Sequence, residues 1–444
     1  MDKKMLNSKF YKYVLPSMFT MLLSGFYSIV DGLFVGNSIG NTALAAINIA
    51  YPIQVILNAS AIGLGIGGAV ALSYYSGKRD NELAAKSLGS TFTLLLGTGF
   101  VLSVLLFFLA PTLLHLLGAE GIVFEQAYDY IFVILLGGLL PVLGNGLNPL
   151  IRNVGKTIVA TLCMSSGLVT NIILDYVLVF KFDMGLTGAA LATIIAQGVV
   201  AISGLCFLYF TSLRHLKWHN FIPSISLLKQ ILHIGLSPFG QTLIPCIVIV
   251  LTNWMCLIYG GNDAVTVFSV VSYVLASAQL LLQGIGDGIQ PLLSYYHGKN
   301  QQAENHYLYK KAFFLSLISS ITMCVLVFAF CRPLTSLFGV SQSIYQETRT
   351  ALLITSLSFP FIAIARLTSA VFYATGKSKN STFLIYLEPC LLLPALLVIF
   401  SSLFELTGVW VAYPAAQVIL CVLALILQSP NLVVHKEMQW AAHS

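Results

Sequence analysis

The string LSYYSGK stands at Leu72–Lys78, and LSYYHGK returns at Leu293–Lys299 with one position changed. The separation, from residue 72 to residue 293, is 221 positions in a chain of 444. The same separation relates two glycine triplets: Gly63, Gly65 and Gly67, and Gly284, Gly286 and Gly288. A separation of 220 relates Gln197 to Gln417. A shared spacing at several places indicates two homologous halves.

The composition places both halves in a lipid bilayer. Hydrophobic residues make up 57% of the chain and charged residues 9%, with a mean hydropathy of +0.88. Soluble domains carry about a quarter charged residues. A helix needs roughly 20 apolar residues to cross a bilayer, and the sequence contains twelve such runs. We predict an all-α integral membrane protein with twelve transmembrane helices in two pseudo-symmetric six-helix bundles.

The repeat also predicts the domain organisation. The N-terminal lobe spans residues 1–210 and the C-terminal lobe spans 232–444, with a basic cytoplasmic connector at 211–231. Because each lobe has an even number of crossings, both enter the membrane from the same side. The halves then form a parallel repeat about an axis along the membrane normal.

The distribution of basic residues predicts the orientation. Of the 22 Lys and Arg residues, all but Lys181, Arg332 and Arg349 fall on the side of the N terminus. The positive-inside rule assigns that side to the cytoplasm. We therefore expect a multi-pass protein of the cell (inner or plasma) membrane with both termini cytoplasmic. Basic loops facing anionic lipid account for the net charge of +6, so we expect no nucleic-acid partner.

Cofactor and enzyme chemistry have no motif in this sequence. The eight cysteines stand singly, without a CxxC pair, so we expect neither disulfides nor a metal cofactor. The nucleophile and zinc patterns GxSxG and HExxH do not occur, so an intramembrane enzyme is disfavoured. We expect a monomer that is not an enzyme.

Buried carboxylates are the most informative residues, because each costs roughly 2.5 to 3.5 kcal/mol near the middle of a membrane helix. Four lie within the predicted spans: Asp31, Asp175, Asp287 and Glu388. Counting along the helices places Asp31, Asp175 and Thr193 at similar depth, with Asn171 one turn below Asp175 on the same face.

This layer of the N-terminal half predicts an ion site. Two close carboxylates in a dry site cannot both stay ionised cheaply. The pair Asp31 and Asp175 would therefore bind a proton, or Na⁺ through hard oxygen ligands. Hydrogen bonding between helices is the structural alternative. The equivalent positions in the second half are Thr252 and Leu396, which places ion coupling in the N-terminal half.

The second half carries a different polar set. Asp287 and Glu388 lie with Arg366 nearer the cytoplasmic side, and buried charges in membranes usually pair. A salt bridge for packing and a cation-attracting cavity wall both remain open for these residues. The candidate substrate cavity comprises Asp287, Glu388, Arg366 and Gln283.

Four blocks resemble the multidrug and toxic compound extrusion (MATE) family, in its prokaryotic branch with an ion site in the N-terminal lobe. They are YSIVDGLFVGNSIGNTALAAINIAYPI (27–53), NIILDYVLVF (171–180), GLTGAALATIIAQ (185–197) and LLQGIGDGIQPLLSYYHGK (281–299). The resemblance spans nearly the whole chain. It implies twelve helices in two six-helix lobes arranged as a V, and export driven by inward proton or sodium flow.

The resemblance also implies roles for individual residues. It assigns the ion site to Asp31, Asn171, Asp175 and Thr193. Pro16 matches a proline associated with bending of the first helix, and Asn145 or Asn148 would supply a polar group from the fourth predicted span (residues 128–150). The seventh predicted span (residues 232–258) has no carboxylate, unlike the branch with C-lobe acids. The choice between proton and sodium stays open.

We therefore expect an H⁺- or Na⁺-coupled antiporter that exports amphiphilic organic cations, drugs or related metabolites by alternating access. Aromatic and apolar cavities with carboxylates favour such cations. A flippase for lipid-linked precursors or polysaccharides is the alternative of similar architecture. A channel is disfavoured because two fused lobes suit rocking about a central site.

Overall fold

The computed structural model describes residues 2–38, 41–337 and 342–428. Within these ranges, side chains are described for all residues except 26–38, 41, 44 and 337. The described chain consists of helices joined by short connections and contains no strand. Helices satisfy their backbone hydrogen bonds internally, as a chain inside lipid requires. The prediction of an all-α integral membrane protein is confirmed.

Thirteen α-helices follow one another in the described chain. They are α1 (Lys3–Ser38), α2 (Asn41–Lys78), α3 (Asn81–Leu116), α4 (Gly121–Leu136), α5 (Leu139–Asn153), α6 (Thr157–Asp175), α7 (Gly185–Thr211), α8 (Ile225–Gly298), α9 (Gln302–Leu337), α10 (Tyr345–Ser356), α11 (Phe359–Ala374), α12 (Ser378–Leu387) and α13 (Leu393–Gln428). Two π-helical turns, Tyr176–Lys181 and Glu388–Leu392, continue α6 and α12.

Helix number and membrane crossings do not correspond one to one. Among the described residues, eight helices are long and apolar enough to cross a membrane, or nine if α4 and α5, bent by 58°, form one crossing. Helix α8 runs for 74 residues and is interrupted at Gly261, and α13 is interrupted at Glu405. Both interruptions fall between predicted apolar runs: Gly261 lies between the runs 232–258 and 265–295, and Glu405 lies between 379–403 and 407–431. The number of twelve crossings stays a prediction.

The repeat is visible in the backbone. Left-handed residues recur at separations of 221 or 220 positions: Arg79 (φ 62°) and Asn300 (58°), Gly155 (87°) and Gly376 (81°), and Gly185 (57°) and Glu405 (51°). Non-glycine residues adopt this conformation at a cost, so it marks specific turns. The two halves therefore share their turn geometry.

The chain forms two compact units. The N-unit comprises Leu22–Leu243 and Ser294–Gln301, and the C-unit comprises the described parts of Met1–Met21, Ile244–Leu293 and Gln302–Ser444. These bounds assign the start of α1 to the C-unit and the start of α8 to the N-unit. The lobes predicted from the repeat, 1–210 and 232–444, stay a prediction.

Glycine contacts let the helices of the N-unit approach closely. A Cβ at Gly65 on α2 would collide with the backbone of Gly146 on α5. Gly63 and Gly235 face each other in the same way between α2 and the start of α8. Small residues at helix interfaces allow such approach in lipid, where packing rather than water exclusion drives association.

The C-unit holds the first part of α1 by polar and glycine contacts. The Asn7 Oδ1 atom accepts hydrogen bonds from the Tyr307 hydroxyl at 2.8 Å and the Lys311 ammonium at 2.6 Å. Gly284 and Gly288 on α8 pack against the backbone of α1 on either side of Pro16. The start of α1 is thereby bound to α8 and α9.

Candidate functional site

Two polar side chains of the predicted ion layer lie on α6. Asn171 is 0% exposed and Asp175 is 1% exposed. Asp175 is the last residue of the α-helix, and the π-helical turn begins at Tyr176. Because π turns disrupt the regular hydrogen-bond ladder of a helix, they are frequent at functional sites. The carboxylate therefore lies where the helix changes its geometry.

Helix α7 packs antiparallel against α6. A Cβ at Gly167 would lie 3.2 Å from the Ala196 carbonyl oxygen, and a Cβ at Gly188 would lie 3.2 Å from the Leu178 carbonyl oxygen. Interpolation between these two contacts places Thr193 level with Asn171, one helical turn from Asp175. Thr193 is 3% exposed. Thr193 therefore lies on the helix that packs against the stretch of α6 carrying Asn171 and Asp175, and the grouping of these three residues in one ion site stays a prediction.

The amide of Asn171 is the least satisfied group in this layer. Its nitrogen and oxygen are both buried, and neither has a hydrogen-bond partner among the described residues. Gln197, one turn beyond Thr193, carries a buried Oε1 atom that is likewise unpartnered within the described chain. An unsatisfied buried polar group costs about 1 to 3 kcal/mol. Such groups are rare, and each calls for an explanation such as a bound ion or water.

The remaining predicted ion-site residues have different surroundings. Asp31 is within α1, and its side chain lies outside the described residues. Asn145 on α5 donates to the Asn58 Oδ1 atom of α2 at 3.2 Å and to the Pro141 carbonyl at 3.1 Å. Asn148 is buried and donates to the Ala160 carbonyl at 3.0 Å, which joins α5 to α6. Its amide nitrogen is therefore used for packing.

The C-unit contains a separate polar network. Arg366 on α11 and Glu388 lie 3.9 Å apart from Nη2 to Oε2, with 7% and 3% of the side chains exposed. Gln417 on α13 donates to the Glu388 Oε1 atom at 2.8 Å. The Arg366 Nη1 atom is buried without a hydrogen-bond partner in the described chain. Glu388 is the first residue of the second π-helical turn.

Helix α8 carries a polar row at helical spacing. Gln279, Gln283 and Asp287 are four residues apart, and this spacing puts them on one face. Gln279 is buried and donates to the Tyr413 hydroxyl at 2.7 Å. Asp287 is buried and takes part in interactions of its own. The row borders Gly284 and Gly288, which contact α1.

Sequence reasoning missed Gln197, Gln279, Tyr413 and Gln417 as site residues. The repeat marks Gln197 and Gln417 as equivalent, and both lie near a helix that carries a buried carboxylate. The spacing of four residues from Thr193 to Gln197 and from Tyr413 to Gln417 is the signal that identifies them. In the described residues, no three His, Cys, Asp or Glu side chains cluster as a metal site.

Long apolar helices, an internal repeat and buried carboxylates at helix irregularities define a polytopic membrane transporter. The model of the MatE family matches residues 16–177 and again residues 234–394. The chain belongs to the MatE family. The two matches fall on corresponding parts of the two halves, and this family contains transporters rather than enzymes.

Curated relatives extend over almost the whole chain. It is 26% identical over 426 residues to the multidrug export protein MepA of Staphylococcus saprophyticus. It is 25% identical over 428 residues to MepA of Staphylococcus haemolyticus. Each alignment covers 94% of this chain and 91% of the relative.

Solved structures share the fold. A MOP superfamily transporter from Pyrococcus furiosus superposes with a TM-score of 0.89 at 23% identity, covering 95% of each chain. An outward-facing multidrug resistance MATE family transporter gives the same TM-score, identity and coverage. At this identity the similarity establishes the fold alone.

Proposed function

We propose that this protein is a cation-coupled antiporter, driven by H⁺ or Na⁺, that exports amphiphilic organic cations and related metabolites by alternating access. The observation that carries the proposal is Asn171. Its fully buried amide has no hydrogen-bond partner in the described chain, and it lies one turn from Asp175 at the α-to-π junction. A bound ion or proton-linked water would satisfy it.

The chemistry of the layer suits either coupling ion. Asp175, Asn171 and Thr193 offer carboxylate, amide and hydroxyl oxygens, which are hard ligands for Na⁺. The Asp175 carboxylate is equally a site for a proton, and Asp31 would complete the layer from α1. An ion drives transport only by binding the two states with different affinity.

The bending element of this proposal is Pro16. Proline lacks a backbone N–H, so α1 has no hydrogen bond at that position. The Thr20 hydroxyl donates to the Pro16 carbonyl oxygen at 2.9 Å. The Thr242 hydroxyl does the same to Pro238 at 3.0 Å in the second half. Ion release at Asp31 and Asp175 would change how α1 bends about Pro16.

The substrate proposal rests on the charges of the C-unit. Asp287 and Glu388 are buried acidic groups, and Arg366 offsets the charge of Glu388 through their contact. Asp287 adds a second buried acidic group on α8, with Gln283 and Gln279 on the same face. The relatives named multidrug export proteins support this substrate class. The protein would act as a monomer in the cell membrane.

The test measures transport of a fluorescent organic cation in proteoliposomes under an imposed pH gradient or an imposed Na⁺ gradient. Asp175→Asn removes the carboxylate, and transport should fall to the level of protein-free vesicles. Asp183→Asn is the matched control, because Asp183 is exposed and lies between the π turn and α7. Asparagine tolerates the left-handed backbone at that position (φ 50°).

Each result has a defined meaning. Transport that follows one gradient, survives in Asp183→Asn and is lost in Asp175→Asn supports the proposal and identifies the ion. Equal transport by Asp175→Asn and the wild type would remove Asp175 from coupling. No transport of any organic cation by the wild type, with movement of a lipid-linked substrate instead, would favour the flippase.

A further inference from the structure

The two copies of the LSYYxGK motif pack against each other within the N-unit. A Cβ at Gly77 would collide with the Tyr295 carbonyl, and a Cβ at Gly298 would collide with the Tyr74 carbonyl. The contact is reciprocal, as in a local two-fold arrangement. The end of α2 and the end of α8 therefore meet through their glycines.

Each copy holds its lysine over its own tyrosine. The Lys78 Nζ atom is 4.8 Å from the centre of the Tyr74 ring, and the Lys299 Nζ atom is 4.9 Å from that of Tyr295. A cation–π contact orients an ammonium group without neutralising its charge. The one position that differs between the copies, His297, lies across the contact, with its ring 5.6 Å from that of Tyr74.

A cavity of about 370 Å³ opens where the motifs meet. Its lining carries three cations and no carboxylate: Gly77, Lys78, Arg79, Gly298, Lys299 and Gln301. Among the described residues, no carboxylate forms an ion pair with Lys78, Arg79 or Lys299. Asp80 is adjacent in sequence, but its carboxylate accepts the Leu83 N–H at 3.0 Å as the cap of α3.

The helix ends reduce this positive charge without cancelling it. Each helix C-terminus is equivalent to about half a negative charge, so the ends of α2 and α8 together contribute about one. Asp80 adds a second negative charge outside the lining. The three cations therefore carry more positive charge than the helix dipoles and Asp80 offset. The surplus positive charge faces the cavity.

We propose that this cavity binds a phosphate group. Lysine ammonium groups bind phosphate as point charges, and arginine binds it with planar geometry. Clusters of basic residues at the inner membrane surface attract anionic lipid headgroups, with about 1 kcal/mol per residue. The phosphate belongs either to the headgroup of an anionic phospholipid or to a soluble phosphate compound. The site is separate from the ion layer, and its test does not depend on transport.

The experiment uses the full chain in detergent and measures bound ligand by native mass spectrometry. The probes are short-chain phosphatidylglycerol, short-chain phosphatidylcholine and inorganic phosphate at equal ionic strength. The cavity variant is Lys78→Gln with Lys299→Gln. The matched control is Lys156→Gln with Lys229→Gln, which removes the same charge from exposed N-unit positions outside the cavity.

We expect phosphatidylglycerol to bind the wild type one to one and the cavity variant about 30-fold more weakly, since each lysine contributes about five-fold. The control pair and a Lys78→Arg, Lys299→Arg variant should bind like the wild type. Inorganic phosphate that binds with the same variant dependence, without phosphatidylglycerol binding, would establish a phosphate site with a soluble source.

Three results would overturn the proposal. The first is an equal loss of phosphatidylglycerol affinity in the cavity and control variants. The second is equal affinity for phosphatidylglycerol and phosphatidylcholine without binding of inorganic phosphate. The third is that neither phosphatidylglycerol nor inorganic phosphate binds the wild type. If the double variant does not purify as a single species, Arg79→Gln replaces it, because Arg79 is exposed. Unchanged affinity in Arg79→Gln then counts against the site.

Discussion

The buried pair Arg366 and Glu388 allows a quantitative test of the C-unit network. The change Glu388→Gln keeps an oxygen that accepts from Gln417, but it leaves the Arg366 charge buried without its partner. Removing one member of a buried pair typically costs about 3 to 5 kcal/mol. Removing both members, in Arg366→Met with Glu388→Gln, should cost much less than the sum of the single changes.

The expected shift in melting temperature follows from chain length. Unfolding entropy is about 2.1 cal/mol/K per residue. A loss of about 4 kcal/mol then lowers Tm by about 4 °C if all 444 residues unfold together. If only the C-unit unfolds, which is about half the chain, the shift is about 9 °C.

The assay is thermal unfolding of the purified protein in detergent, followed by tryptophan fluorescence, since Trp410 is buried in the C-unit. Glu405→Gln on α13 is the matched control, because Glu405 is exposed, and it should change stability by less than about 0.5 kcal/mol. Strict additivity of the two single changes in the double variant would refute the reasoning. It would show that the two side chains do not interact, which favours the cavity-wall interpretation over the salt bridge.

Three further predictions concern packing, pH and the ion layer. Gly65→Val should collide with Gly146 and lower the free energy of unfolding by about 1 to 3 kcal/mol, and Tm with it. The control Gly97→Ala meets no neighbouring atom and should be neutral or stabilising. Equal effects of the two changes would contradict the close approach of α2 and α5. Burial lowers the pKa of Lys377 from its usual 10.5, so the unfolded chain binds more protons and Tm should rise as pH approaches 10.5. In a pH series, Lys377→Gln should abolish that rise. An unchanged slope of Tm against pH in the variant would contradict this prediction. Asn171→Leu should raise Tm, because it removes an unsatisfied amide, and should abolish transport; a variant that transports normally would exclude Asn171 from the ion site.

The membrane class and the family could be predicted because they depend on local properties of the chain. An apolar run of about 20 residues indicates a membrane helix by itself, since its preference for lipid depends on residue type and run length. The spacing between the two copies of the LSYYxGK motif is enough to indicate the internal duplication. The left-handed residues Arg79 and Asn300 follow the same spacing, because the conformation of a turn is encoded within a few residues.

The contents of the polar sites could be predicted only in part. Counting along helices predicts one depth for Asp175 and Thr193, and the contacts between α6 and α7 place Thr193 level with Asn171. The shared depth of Asp175 and Thr193 stays a prediction. Gln279 and Gln417 were not selected, because a neutral amide in a membrane helix carries a weak sequence signal. Their hydrogen bonds join residues 134 and 29 positions apart, and only tertiary packing creates such partners.

By itself, the sequence determined that the chain lies in lipid, that its two halves are duplicated and which carboxylates lie within the spans. Each of these depends on residue type and spacing. Tertiary structure alone decided that both motif copies meet around one basic cavity, although 221 positions separate them. It also decided that Glu388 pairs with Arg366 while the start of α1 joins the C-unit. The physical reason is that side-chain contacts depend on which helix faces meet, and helix periodicity leaves several faces able to pack in lipid.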